Sequence, residues 1–297
     1  MLTLFSTPKP FVGHSKVIQM NALRSWKQLF PDVEIILFGA DEGSSEACQE
    51  LGLRHEPHVE TNSFSTKRID YIFRRAQEIA RHSFLCYVNC DIILLADFAA
   101  AFARVRAAHN KFLMVGRRWD TPITLSCTDF STSAQQALLS IAQKSGVQQP
   151  GHSVDYFAFT RGLYSDMPPL VIGRVWWDHW LVYHARELHV DVVDVSPQVL
   201  AIHQNHDYGY HPKGAQGVWN DEQARSNYEN AGGKWHLYTI DDATHILDRD
   251  SERSNPRRHF APYWRVLRPQ VIPFWHGFLD LTRPVRHKLG LRQGKTT

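Results

Sequence analysis

Asn89 and Asp91 are the strongly polar side chains of FLCYVNCDIILL, residues 84–95, a run that is apolar at nearly every other position. A bare carboxylate costs several kcal/mol to bury, so an acid in such a run is paired, protonated or bound to a cation. Three further stretches carry reactive types. GRVWWDHW, residues 173–180, sets Asp178 among Trp176, Trp177 and Trp180, surroundings that desolvate a carboxylate and raise its proton affinity toward that of a general base. The same acid also fits a plain capping role at the start of a helix, WDHWLVYHARELH, with the tryptophans as core. AIHQNHDYGYH, residues 201–211, places His203, His206, Asp207 and His211 at and behind an apolar run, and imidazole with carboxylate at a strand end suits Mn²⁺, Mg²⁺ or Zn²⁺. GRRWD, residues 116–120, supplies Arg117 and Arg118, whose guanidinium fork matches phosphate oxygens. For Asp91 the competing role is a turn, which the apolar flanks argue against.

These groups need a scaffold that brings them together. Apolar, β-rich runs recur at residues 2–7, 33–40, 84–95, 112–120, 155–161 and 190–204. Between the early ones lie helical patterns. Residues 14–30 carry Val17, Met20 and Leu23 on a stripe that Pro31 ends, and residues 66–81 repeat it with Ile69, Ile72, Phe73, Ala76 and Ile79 after a Ser65 or Thr66 cap. The alternation of strand and helix over the first hundred residues predicts a parallel sheet with right-handed crossovers. Ligands then collect at the carboxyl ends of its strands. Past about residue 120 the pattern gives way to loops around Pro150, Gly151, Pro168, Pro169 and Gly173, the kind of segment that carries specificity.

Composition bounds the rest. A chain of 297 residues with 43% hydrophobic content supports a core of one large α/β domain and excludes wholesale disorder. Cys86 and Cys90 on one strand stand about 13 Å apart, too far for a disulfide. Cys48 and Cys127 add no CxxC pair, and the opening MLTLFSTPKPF breaks at Pro8, so the expected setting is reducing and cytoplasmic. Residues 251–297 hold ten Arg or Lys against Glu252 and Asp280, a net +8 that leaves the rest at −5 of the total +3. The composition divides the chain near 250. The basic tail, expected to be helical, reads as an appendage packed on the domain or as a peripheral contact with an anionic inner membrane face. The acidic body argues against a nucleic-acid partner.

The order of these stretches, an ST-ended first strand, ILFGAD, YVNCDIIL, WWDHW and a His after a strand, resembles the GT-A glycosyltransferases, family-2-like members of the nucleotide-diphospho-sugar transferase superfamily. The resemblance covers residues 1–250. It implies a Rossmann-like α/β fold whose mixed, mainly parallel sheet is flanked by helices, and a metal-dependent transfer of sugar from a nucleotide-diphospho-sugar to a hydroxyl of a glycan or lipid-linked acceptor. The family's DxD falls on Asn89, Cys90 and Asp91, with Asn in place of the first acid. By the same resemblance Asp91 and His203, with His206 in reserve, would hold the divalent metal (Mn²⁺ or Mg²⁺), and Asp178 would be the base of an inverting reaction. Thr7, Pro8, Asp41, Thr66, Arg68, Asn89 and Arg118 would join Asp91 in meeting the donor, and Asp155, Trp176 and Trp177 the acceptor. The competing readings are a metal-dependent phosphoesterase built on His203, His206 and Asp207, a sugar-binding module without turnover, and a metal-independent transferase. The absence of an opening GxGxR loop disfavours the sugar nucleotidylyltransferases.

Overall fold

The computed structural model describes residues 2–206 and 214–257, with positions 260, 263, 264 and 267. Its strands are Leu2–Ser6 (β1), Glu34–Phe38 (β2), Arg54–Glu56 (β3), Phe84–Val88 (β4), Ile92–Ile93 (β5), Phe112–Thr121 (β6), Val147–Gln148 (β7), Val154–Thr160 (β8), Asp191–Asp194 (β9), Ala201–Gln204 (β10), His245–Leu247 (β11) and Glu252–Ser254 (β12). The helices are Gly13–Lys27 (α1), Ser44–Leu51 (α2), Ile69–Ile79 (α3), Ala96–Ala108 (α4), Thr132–Ser145 (α5), Trp177–Glu187 (α6), Gly214–Asn220 (α7) and Glu222–Asn230 (α8).

The main sheet runs β12-β11-β9-β6-β8-β4-β1-β2-β3. β3, β2, β1 and β4 are parallel neighbours, β8 runs against both β4 and β6, and β9 and β11 resume the direction of β6. This is the mixed, mainly parallel α/β sheet that the sequence predicts.

Burial on both faces explains why β1, β2 and β4 are near-continuous apolar runs. Alternate residues point to opposite sides of a strand. Leu2 and Leu4 of β1 join Leu37, Cys86 and Val88 under Met20, Leu23 and Trp26 of α1 and Phe98 and Phe102 of α4. Phe5 joins Ile36, Leu85 and Tyr87 under Phe73 of α3 and Trp180 and Leu181 of α6. The result is three layers, helix, sheet and helix.

Three boundaries differ from the sequence reading, each for a local reason. The apolar run 84–95 is two strands, with a turn at Cys90–Asp91 between them. It is apolar on both sides of the turn because β5 is buried as deeply as β4, although it pairs with β10 in a different part of the sheet. The run 190–204 also splits, into β9 and β10, across the turn that holds Pro197. α3 starts at Ile69 after an Arg68 N-cap that makes no side-chain cap bond, because residues 61–67 fold back into a bridge between Thr61 and Lys67. Beyond residue 120 the chain is more regular than its proline and glycine content suggests, with β8 to β10 and α5 to α8 among the described residues.

The sheet continues past the composition break at 250, since β12 pairs with β11. Apart from positions 260, 263, 264 and 267, the expected helical tail after residue 257 lies outside the described residues.

β6 changes sheets midway, and this bend positions the site. Phe112–Val115 pair with β8 and β9, a register shift falls between Val115 and Arg117, and Arg118–Thr121 pair with β10. A Cβ at Gly116, inside the shift, would stand 1.9 Å from the hydroxyl of Tyr156 and 2.9 Å from its ring carbon. Tyr156 is fully buried and cannot swing aside. Gly116→Ala is therefore expected to lower stability by about 1–3 kcal/mol, the usual cost of overpacking, measured by urea unfolding.

Candidate functional site

The carboxyl ends of β1, β4 and the second half of β6 meet at one edge of the sheet, and register does the positioning. β10 lies between β5 and β6, so His203 faces Ile92 on one side and Asp120 on the other. The turn that ends β4, closed by Ile92 N–H donating to Asn89 O at 3.1 Å, sets Asp91 beside them. Asp91 Oδ2 lies 3.1 Å from His206 Nε2, and the rings of His203 and His206 are 5.2 Å apart between centroids. One ligand atom from each of Asp91, His203 and His206 falls within 4.8 Å of the others.

Two observations test whether these residues suit a cation. Asp91 Oδ1 is buried with no hydrogen-bond partner among the described residues, an orphan that a cation would satisfy. The donor set, one carboxylate and two imidazoles, is one that Mn²⁺ and Zn²⁺ accept. Charge already gathers there, with Lys9 Nζ 3.9 Å from Asp91 Oδ2 and 3.3 Å from His206 Nε2. Burial pushes the Asp91 carboxyl up, but the hydrogen bond with His206 and the charges of His203 and Lys9 outweigh it and hold the acid well below the usual carboxylate range.

A half-buried polar chain leads away from this group. Asn89 Nδ2 donates to Asp155 Oδ1 at 2.5 Å, Arg118 Nη1 donates to Asp155 Oδ2 at 2.8 Å, and Arg118 Nε donates to Asp120 Oδ1 at 2.9 Å. Asp120 Oδ1 in turn lies 3.0 Å from His203 Nδ1. Burial works against the charge on Arg118, yet Asp155 and Asp120 keep it firmly protonated. Asn89, Asp155 and Arg118 thus brace the turn, and Asp120 stands beside the His203 ring, whose Nδ1 makes no well-aligned hydrogen bond among the described residues.

At the ends of β1 and β2, the Lys67 ammonium donates to Thr7 Oγ1 at 3.0 Å, to Pro8 O at 3.2 Å and to Asp41. Three residues expected at the donor are thereby brought together. Arg68 points elsewhere, with its guanidinium held by Asp70 and Glu60. Thr66 N–H closes the loop by donating to Asn62 Oδ1 at 3.0 Å.

Asp178 stands in the first turn of α6, whose N-cap is Trp176 with left-handed φ of 89° and no side-chain cap bond. It is therefore not the capping residue. Asp178 Oδ1 and both ring nitrogens of His179 are buried without hydrogen-bond partners among the described residues, although Oδ1 lies 3.8 Å from His179 Nδ1. The N-terminus of α6 docks over β4 and β8 because Trp177 packs on Tyr87 and Phe157, with centroids 5.3 and 5.7 Å apart. Trp177 is thus a core residue, while Trp176 is half-buried beside His179 and Tyr228. His152, just before β8, is largely exposed, and partial desolvation pushes its pKa down, with the charges of His179 and Arg118 adding to this and Asp178 opposing it.

Sequence reasoning missed Lys9, Lys67 and Asp120. Each lies inside or beside a stretch already picked out, in TPKP, TKR and GRRWD, but a loop lysine carries no periodicity. Asp207 and His211 lie outside the described residues.

No protein-family model and no curated protein matches the chain. Among solved structures it is partly similar to glucosyl-3-phosphoglycerate synthase from Mycobacterium tuberculosis with Mg²⁺ and uridine diphosphate, at 12% identity and TM-score 0.45 over 69% of this chain and 72% of that one. It is also partly similar to S. aureus TarS residues 1–349, at 12% identity and TM-score 0.45 over 68% of this chain and 60% of that one.

Proposed function

We propose that the chain is a metal-dependent GT-A glycosyltransferase that moves a sugar from a nucleotide-diphospho-sugar to an acceptor hydroxyl. The observation that carries this reading is the Asp91, His203 and His206 cluster at the carboxyl end of β4, with its orphaned carboxylate oxygen. Carboxyl ends of strands in open α/β sheets are where nucleotides bind.

A divalent cation held by these three residues would neutralise charge on the departing diphosphate. Lys9 adds a fixed positive charge at the same edge. Thr7, Pro8, Asp41 and Lys67 line the ends of β1 and β2 and are assigned to the nucleoside, with Lys67 exchanging a contact to Asp41 or Thr7 for one to the ligand. Arg118 is assigned to hold Asp155 and Asp120 in place, so that the His203 ring keeps its orientation.

Asp178 is assigned as the base of an inverting reaction. The acceptor oxygen bonds to the anomeric carbon, the carbon–phosphate oxygen bond breaks, and the hydroxyl proton passes to Asp178. A base so placed contributes about 10²–10⁴-fold. Trp176, half-buried beside the acid, is assigned to the acceptor face.

The test is a thermal-shift screen of the protein against UDP-, GDP-, CMP- and dTDP-sugars, each with and without Mn²⁺, because a specific ligand raises the melting temperature by mass action. A metal-dependent rise with one nucleotide is expected. Indifference to every pair, with a large rise from zinc alone, would favour the phosphoesterase reading.

A further inference from the structure

A second group of ligand-type side chains lies at the opposite end of the sheet. β4 and β6 run in the same sense, each antiparallel to β8. Asp91 follows the end of β4, whereas His109 precedes the start of β6, Asp191 opens β9 and His245 opens β11. The two groups are therefore on opposite edges of the parallel strands.

The hairpin of β11 and β12 explains how the group converges. Leu247 faces Glu252 across the ladder, and His245 lies two positions before Leu247. Alternate residues and directly opposed residues share a face, so His245 and Glu252 project from the same side of the ribbon. His109, at the C-cap of α4 and only 7% exposed, meets them there. Its Nε2 lies 2.8 Å from Glu252 Oε1, its Nδ1 lies 2.9 Å from Asp191 Oδ2, and its ring is 5.1 Å from that of His245 between centroids. One ligand atom from each of His109, His245 and Glu252 falls within 4.8 Å of the others.

We infer that His109, His245 and Glu252 form a zinc site that fastens the β11–β12 hairpin to the sheet. Two imidazoles and one carboxylate, with a fourth position for water, are a donor set that zinc takes. Tetrahedral bonds of about 2.0 Å set neighbouring ligand atoms about 3.3 Å apart, which side-chain rotations within this cluster can reach. Asp191 supplies the outer carboxylate. By accepting from His109 Nδ1–H it fixes the tautomer that leaves Nε2 as the ligand, the usual support for a metal-bound histidine. His245 Nδ1 lies 2.9 Å from Thr244 Oγ1 and 3.7 Å from Asp191 Oδ1, contacts that hold the second imidazole beside the first.

This inference stands apart from the proposed reaction, and its test does not use activity. Full-length protein is stripped with EDTA, equilibrated with Zn²⁺ and assayed for zinc per chain by mass spectrometry. The Asp91 cluster also offers zinc ligands, so the comparison is made in an Asp91→Asn background. Protein carrying Asp91→Asn alone is expected to hold one more zinc per chain than protein that also carries Glu252→Gln or His245→Ala. Zn²⁺ is also expected to raise the melting temperature of the first and not of the other two. Glu252→Gln keeps the side chain's shape, so it decides the matter if His245→Ala fails to fold. Equal zinc content with and without these substitutions overturns the inference.

Discussion

Asp91→Asn is expected to cut sugar transfer by at least about 100-fold while the protein stays folded. Loss of a carboxylate ligand forfeits charge stabilisation of several kcal/mol at the leaving group, and each 1.4 kcal/mol or so is a factor of ten. Asn keeps the side chain's size in the β4–β5 turn, so Ile92 N–H still closes on Asn89 O. Steady-state release of nucleoside diphosphate measures the effect. A second readout follows from the depressed affinity of Asp91 for protons. A carboxyl group held lower in the folded than in the unfolded state stabilises the fold above its unfolded value, near 4. That contribution is lost as pH falls through the folded value. The acid limb of melting temperature against pH should therefore be shallower in Asp91→Asn than in the native chain when no metal is added.

Asp178→Asn is expected to lower turnover by about 100-fold or more and to leave donor binding unchanged. The two effects separate a base from a support. Asp178 does not cap α6, and its buried Oδ1 has no hydrogen-bond partner among the described residues. The amide therefore breaks no hydrogen bond at that atom. Loss of the carboxylate near the α6 N-terminus removes a favourable dipole interaction of about 0.3–1 kcal/mol, too little to unfold the chain. Single-turnover kinetics, with a nucleotide thermal shift beside them, make the measurement. Equal turnover in the variant would move the base elsewhere.

The strands around this chemistry were legible because burial on both faces writes them as apolar runs. LTLFS, EIILF and FLCYV could be nothing but interior strands once helical stripes separated them. The turn at Cys90–Asp91 was not legible for the same reason. β5 leaves β4 for β10 but stays buried, so composition hides the change of partner. Asp91, His203 and His206 could be paired from the sequence by chemical type. Asp120 could not, because its nearness to His203 comes from the parallel register of β6 and β10, a long-range fact. Lys67 reaches Asp41 from a loop that folds back on itself, and no local pattern marks that reach. Trp177 shows the opposite error. The family resemblance put it at the acceptor, whereas its ring packs on Tyr87 and Phe157.

The most direct measurement of the central claim is the release of nucleoside diphosphate from the donor found by thermal shift, with Mn²⁺ and with EDTA, in the native chain and in His203→Ala. Release that needs the metal in the native chain and falls by at least about 100-fold in His203→Ala is the predicted result. Release that proceeds equally in EDTA and in the variant would contradict a reaction built on the Asp91, His203 and His206 cluster.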